Sequence, residues 1–338
     1  MSEPVLIWGA GAIGGVIGAH LARAGHAVHM VDIVEEHVEA MRGPGLRIEG
    51  PVAEFTQRLD ASTPGELSGQ FSTILLAVKA HHTEAALDML EPHLAPGGIV
   101  TSAQNGLNER VIAARIGAAR TLGCFVNFGA DWLEPGRILY GNRAAVAVGE
   151  LDGSLTDRAR RIHALLSIVE PDAVLTDNIW GYLWGKMGYG ALLFATALTP
   201  DSMSDAMARP EHRTAYEALG HEVMTLAAAE GIRPLGFNGF DPEAFRNRDA
   251  GAMAASLAAM VTHNRQTAKT HSGIWRDLAV RKRRTEVDAQ MGIMIDIAAS
   301  HGLGVPTLAR LVELIHDIEE GRRPQSPALP DLLVPPCA

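Results

Sequence analysis

Gly9, Gly11 and Gly14 stand in the run GAGAIG, directly after the apolar stretch VLIW and at the head of an apolar-periodic segment that ends at Gly25. Glycines at this spacing, between a strand and a helix, bind the pyrophosphate of a dinucleotide. The first permits a tight turn, the second lets backbone approach the phosphates, and the third lets helix and strand pack closely. The backbone of Ala10, Ala12 and Ile13 completes the loop, and the helix N-terminus offers unpaired N–H groups to the anion. Asp32 falls where a second strand, residues 27–31, should end, so its carboxylate can accept both hydroxyls of an adenine ribose. Glu35 and Glu36 follow, with no Lys or Arg before Arg42. A 2′-phosphate would meet like charge there, so NAD is expected and NADP is disfavoured. The plainer alternative is an aspartate that caps the next helix.

Lys186 is the only charged residue between Asp177 and Asp201. Hydride arriving at a carbonyl carbon leaves an alkoxide, and an ammonium partly removed from water, its pKa lowered toward neutrality, can protonate it. A lysine that snorkels from a helix end, or pairs with Asp177, is the alternative. His81 and His82 have no third ligand at metal spacing, so no metal site is expected. The run Arg281, Lys282, Arg283, Arg284 reads as a solvated face, or as an anchor for a substrate carboxylate or cofactor phosphate. Trp180 and Trp184, at helical spacing, read as interdomain core.

These residues must be positioned by elements that the rest of the chain implies. At 338 residues and 47% hydrophobic, the chain suits two domains. Its net charge of -10 and pI near 5.8 argue against nucleic-acid or anionic-membrane partners. Two cysteines, Cys124 and Cys337, allow no disulfide framework. The N-terminus lacks a basic region and reads as a first strand rather than a signal peptide, and the uncharged run 187–200 is too short to span a bilayer, so a soluble cytoplasmic protein is expected. Residues 71–78 read as a buried parallel strand, 83–94 as a helix, 96–98 as a turn, and 99–102 as a further strand ending at Gln104, Asn105 and Gly106. The alternation predicts a Rossmann-type doubly wound α/β sheet, with Lys79 and Asn105 at carboxyl ends of strands. Strand-rich pieces from residue 121, namely TLGCFVNFG, ILYG and AAVAVGE, are expected to complete the sheet as a mixed edge, followed by a helix at 155–168 and a last strand at 173–176. Beyond residue 177 the segments are long and alanine-rich, predicting an all-helical domain over 178–322 after a dinucleotide-binding domain over 1–177. Prolines at 324, 327, 330, 335 and 336 predict an extended, poorly ordered tail over 323–338.

GAGAIG at 9–14, AVKA at 77–80, QNGL at 104–107, WGK at 184–186, RRTEVD at 283–288 and GVPT at 304–307 occur in an order and spacing that together resemble the ketopantoate reductase family. The resemblance implies a Rossmann domain followed by a helical domain, with the active site in the cleft between them. It implies Lys186 as general acid and base, and Glu286 near the reactive centre, holding the substrate hydroxyl or the nicotinamide ribose. Glu286 also reads as an acid in the first turn of a helix after Thr285. The resemblance further implies Asn105 bordering substrate and nicotinamide, and Lys79 helping to hold the ligand, although Asn-Gly is also a common turn and a lysine often ends a strand.

This chain departs from that pattern. Where the family carries asparagines one and two helical turns after the lysine, Gly190 and Phe194 stand, and its Ser-Ser-Met segment becomes His271, Ser272, Gly273. Gly190 and Phe194 remove polar partners for a substrate hydroxyl, so a bulkier or more apolar substrate than ketopantoate is expected. Ser272 or His271 is the candidate replacement contact. The implied activity is interconversion of a small-molecule 2-oxo acid and 2-hydroxy acid by an NAD-dependent oxidoreductase, and the long helices would suit a homodimer. The rival readings are the biosynthetic 2-dehydropantoate 2-reductase itself and a non-catalytic NAD-binding regulator, against which Lys186 and Glu286 argue.

Overall fold

The computed structural model describes residues 3–267 and 269–334, and the chain divides into two compact units, Met1–Ile179 and Trp180–Ala338. The first contains strands β1 (Val5–Trp8), β2 (Val28–Val31), β3 (Leu46–Glu49), β4 (Phe55–Gln57), β5 (Asp60–Ser62), β6 (Phe71–Leu76), β7 (Leu94–Ser102), β8 (Thr121–Val126), β9 (Gly129–Glu134), β10 (Arg137–Asn142), β11 (Val146–Glu150) and β12 (Val174–Leu175). Helices α1 (Ala12–Arg23), α2 (Glu35–Arg42), α3 (Thr83–Leu90), α4 (Asn108–Ile116) and α5 (Asp157–Val169) lie between them in sequence.

An eight-stranded sheet runs β12-β11-β8-β7-β6-β1-β2-β5. From β5 to β8 neighbouring strands are parallel, while β11 is antiparallel to β8. The chain leaves β1 toward β2 and β5, then returns on the other side of β1 through β6, so the strand order reverses there. In such sheets ligands bind outside the carboxyl ends of the strands at the reversal. Both faces are covered, which explains the unbroken apolar run of β1. Val5 and Ile7 join one core with residues of α1 and α5, whereas Leu6 and Trp8 join another with α3 and α4.

Of the pieces expected to complete the main sheet, those at 121–126 and 146–150 do so as β8 and β11, but ILYG falls in β10, which leaves the sheet together with β9. They form a hairpin, turned at Gly136 with φ +78°, within a separate sheet of order β4-β3-β10-β9. The cause is packing against α1. Ile138 and Tyr140 are fully buried, and a Cβ on Gly15 would lie 2.2 Å from Ile138 Cδ1. Periodicity records that a strand has a buried face but not which partner covers it. Similarly, the turn at 96–98 is absorbed into β7 as an irregularity, where pairing with β6 shifts from Phe71↔Leu94 to Thr73↔Ile99.

The second unit is helical, with α6 (Ile179–Thr196) leading into it, then α7 (Met203–Ala208), α8 (Arg213–Ala229), α9 (Pro242–Asn247), α10 (Ala250–Arg265), α11 (Gly273–Ala279), α12 (Ile293–Ser300) and α13 (Pro306–Glu319). A π-turn at Asp288–Gly292 precedes α12. Two α6 glycines exist for close approach: a Cβ at Gly185 would lie 2.0 Å from Leu235 O, and one at Gly188 2.6 Å from the Phe240 ring.

The proline-rich end is docked, contrary to the expectation of a poorly ordered tail. Ser326 N donates to Leu198 O at 2.9 Å, Gln325 Nε2 to Ala197 O at 2.7 Å, and Pro327 O lies 2.8 Å from His212 Nε2. Leu329 and Leu333 are buried anchors that outweigh the composition. Pro335, Pro336 and Cys337 lie outside the described residues. Among the described residues no helix is long and apolar enough to cross a membrane.

Candidate functional site

Backbone proximity shapes the turn between β1 and α1. Gly9 has φ +98°, a conformation that favours glycine, and a Cβ there would lie 2.8 Å from Val78 N. A Cβ on Gly14 would lie 2.0 Å from Gly9 O, so helix and turn touch backbone to backbone. Gly11 differs, because a Cβ there would meet nothing within 4 Å. It is also the N-cap of α1 and supplies no side-chain cap. The first-turn N–H groups, including those of Ala12 and Ile13, therefore have no side-chain acceptor from the cap, and the space over Gly11 is open. This is a cradle that fits a diphosphate.

Asp32 follows β2 and fastens this turn. Its Oδ2 accepts from Ala10 N at 2.9 Å and its Oδ1 from Val34 N at 3.0 Å. Val34 is the N-cap residue of α2, so the aspartate braces the glycine turn and the entry to that helix without being the cap itself. Each carboxylate oxygen retains acceptor capacity for a ligand hydroxyl. Glu35 and Glu36 are exposed in the first turn of α2. Arg42, at its end, is committed elsewhere: Nε donates to Ala61 O at 2.6 Å and Nη2 pairs with Glu66 at 2.9 Å. Ala10 O is held in turn by His37, whose Nε2 lies 2.9 Å away.

At the neighbouring strand ends, Lys79 is half-buried at the N-cap of a 3-10 turn over Ala80–His82. Asn105 is exposed just beyond β7 and is positioned from beneath by a buried polar network. Gln104 Nε2 donates to Val78 O at 2.9 Å and to Thr83 Oγ1 at 2.8 Å. Thr83 Oγ1 lies 2.9 Å from Asn108 Oδ1, and Asn108 Nδ2 donates to Asn105 O at 2.6 Å. Thr83 and Asn108 stand in polar stretches of sequence, HHTEAA and QNGLNER, so their polarity alone did not mark them as parts of a buried network. His81 and His82 are exposed, their ring centroids 4.0 Å apart, and among the described residues no three His, Cys, Asp or Glu side chains are grouped to hold a metal.

In the second unit, the residues of α6 beyond Trp180 that escape burial are Tyr182, Lys186, Gly190 and Leu193. Steps of four, four and three place them on one stripe of the helix. Gly190 adjoins open space, since a Cβ there would meet nothing within 4 Å. Phe194, expected to face substrate, has no solvent-accessible surface and belongs to the core. Tyr189, next to Gly190 in sequence, is buried, and burial pushes its phenol pKa up; Asn264 Nδ2 donates to its Oη at 3.0 Å.

Ser272 is buried and caps α11, its Oγ accepting from Trp275 N at 3.1 Å. The His271 ring lies tilted against that of Trp275, with centroids 3.9 Å apart. Both expected substrate contacts thus have local structural tasks, although the Ser272 proton remains available for donation. Glu286 is half-buried before the π-turn. The preceding Thr285 is clamped by Glu319 of α13, whose Oε1 accepts from Thr285 N and Oγ1, each at 2.7 Å. In the basic run, Arg281 and Arg283 converge on Asp277 Oδ1 at 3.0 and 2.9 Å.

Comparison with known proteins adds an independent observation. The family model described as ketopantoate reductase PanE/ApbA matches residues 5–153, and its C-terminal counterpart matches residues 178–319. A 2-dehydropantoate 2-reductase of Archaeoglobus fulgidus is 26% identical over 94% of this chain and 99% of its own length. The crystal structure of a PanE/ApbA family ketopantoate reductase from Ralstonia eutropha JMP134 matches with a TM-score of 0.79 at 23% identity, covering 94% of this chain and 99% of that one. A D-mandelate dehydrogenase solved with NADH and anilino(oxo)acetate matches with a TM-score of 0.80 at 21% identity, covering 94% and 98%. At these identities the two solved structures speak for the fold.

Open space over Gly11 yields a sharp expectation. Gly11→Ala should leave the thermal unfolding midpoint close to that of the parent, yet raise the dinucleotide Kd by roughly tenfold or more, because the added methyl occupies the phosphate cradle. Fluorescence titration alongside a melting curve measures both, and an unchanged Kd would reject the cradle.

Proposed function

Because this chain belongs to the ketopantoate reductase PanE/ApbA family of oxidoreductases acting on CH–OH groups, we propose that it interconverts a 2-oxo acid and its 2-hydroxy acid with NAD(H), on a substrate other than ketopantoate. The observation that carries the cofactor choice is the acidic surround of the ribose position. Asp32, Glu35 and Glu36 lie together in sequence, and Arg42 is taken up by Ala61 O and Glu66. A 2′-phosphate would bring roughly two negative charges to that surround, whereas a ribose diol can donate to Asp32.

A dinucleotide held over Gly11 and against Asp32 would supply or receive the hydride. In reduction, Lys186 gives its ammonium proton to the oxygen of the former carbonyl as the C–H bond forms, and in oxidation its neutral amine removes the hydroxyl proton. Glu286 and Asn105 orient the reactants through hydrogen bonds.

Gly190 supports a substrate with a larger apolar substituent. Unlike Gly185 and Gly188, it is not required by any close neighbour, and a glycine inside a helix costs about 0.5–1 kcal/mol relative to alanine. What the glycine keeps clear is room one turn along the stripe from Lys186, with Leu193 as the next residue on that stripe. A branched or aryl 2-oxo acid suits such a space better than one whose own hydroxyl needs partners.

Titration with NADH and NADPH, followed by tryptophan fluorescence, should give the lower Kd for NADH by at least roughly tenfold; the reverse order would refute the cofactor assignment. Lys186→Ala should lower kcat by roughly a hundredfold to ten-thousandfold while leaving the Kd for NADH within about threefold. Full turnover in that variant would exclude Lys186 as the proton donor. Gly190→Ala should raise stability by about 0.5–1 kcal/mol. Gly190→Asn should cut kcat/KM for aryl and branched 2-oxo acids by roughly tenfold while improving ketopantoate, and a uniform fall across substrates would dismiss the space as a determinant.

A further inference from the structure

His37 is fully buried on α2, one turn and a half beyond Asp32 in sequence, and the mechanism above does not use it. Its ring joins two distant backbone groups. Nε2 lies 2.9 Å from Ala10 O, in the middle of the glycine turn, and Nδ1 accepts from Gly136 N at 2.9 Å, in the hairpin between β9 and β10. The partners define the tautomer: an amide N–H needs a lone pair at Nδ1, and a carbonyl needs a proton at Nε2. The Trp132 ring of β9 meets the imidazole edge-on, with centroids 6.1 Å apart. On the turn itself, Ala10 N is already held by Asp32 Oδ2 at 2.9 Å. One peptide on each side of Ala10 is therefore fixed by a side chain, the first through its N–H and the second through its C=O.

We infer that His37 is a positioning residue for the phosphate-binding turn, and that the small sheet acts on the cofactor site through it. The orientation of the peptide between Ala10 and Gly11 decides where the N–H of Gly11 lies, and that group belongs to the cradle over the N-terminus of α1. Holding Ala10 O rotates this peptide into place before a ligand arrives, so the ordering cost is met in folding rather than in binding. Gly136 is tailored for the task. Its φ of +78° and the 2.7 Å separation between a Cβ there and Ala40 Cβ leave room for no other residue type. The inference rests on the reading of the turn as a dinucleotide site, without depending on which dinucleotide is preferred.

Two substitutions separate the halves of the bridge. His37→Gln places an amide N–H near the Nε2 position, within reach of Ala10 O. His37→Asn is one methylene shorter, so it can accept from Gly136 N but not reach the turn. The dinucleotide Kd is read by calorimetry with NADH and with NADPH, together with the melting temperature and kcat at saturating cofactor. His37→Asn should raise the Kd for the better-bound dinucleotide by roughly tenfold with kcat within about twofold, and His37→Gln should restore the Kd to within about threefold of the parent. Equal Kd values for His37→Asn and the parent, with only the melting temperature lowered, would reduce His37 to a structural residue and overturn the inference. A fall in kcat at unchanged Kd would overturn it as well. If the parent chain binds neither dinucleotide, the reading of the turn fails and this inference fails with it, an outcome distinct from the other two.

Discussion

The contact on which the first unit depends is between backbones: the start of α1 lies so close to the end of β1 that a methyl group on Gly14 would sit 2.0 Å from Gly9 O. Interiors are packed too densely to absorb such an overlap, so the approach exists only because both positions lack side chains. It brings the free N–H groups of the helix to the carboxyl end of the central strand, where the strand order reverses. The same helix makes two further approaches of this kind. Gly18 faces Met30, with 2.3 Å between an added Cβ and the Met30 sulfur, and Gly15 faces Ile138 of the small sheet. α1 is thus seated between two sheets by glycines on different sides, and its N-terminal end inherits its position from all of them.

Two of the candidate site residues adjoin buried polar groups. Asn105 stands over the Gln104–Thr83–Asn108 network, and Glu286 follows a threonine gripped by Glu319. Glu222 caps the start of α13, its two oxygens accepting from Thr307 N at 2.9 Å and Leu308 N at 2.8 Å. A carboxylate taking two backbone N–H donors forms charge-assisted bonds that are stronger and more directional than apolar contacts. Satisfied networks of this kind set orientation, which burial of apolar surface alone cannot do.

In α6 the division of labour runs along the helix surface. Gly185 and Gly188 admit the segment containing Leu235 and Phe240, Trp184 and Phe194 fill the core, and the stripe of Tyr182, Lys186, Gly190 and Leu193 is left partly open. Lys186 itself is half-buried on that stripe, between positions of the helix that belong to the core. One helix thereby has a close-packed side and a partly open one.

Local rules made much of this legible from residues alone. β1, the glycine turn, α1 and Asp32 form one contiguous unit whose own parts lie within about thirty residues of one another, so spacing was enough to read it, although Val78 and Ile138 complete its packing. The helical texture after residue 177 and the isolation of Lys186 were likewise sequence properties. Tertiary structure decided what depends on partners distant along the chain. It sent β9 and β10 to a second sheet, because Ile138 and Tyr140 found α1 rather than the main-sheet edge. It docked the proline-rich end through Leu329 and Leu333, buried Phe194, and tied Ser272 into a helix cap. It also joined His37 to Gly136 across 99 residues. A sequence determines directly what each residue can do and what its near neighbours must adopt; which distant group satisfies it follows only from the packing of the whole chain, where each buried donor and acceptor must find a partner.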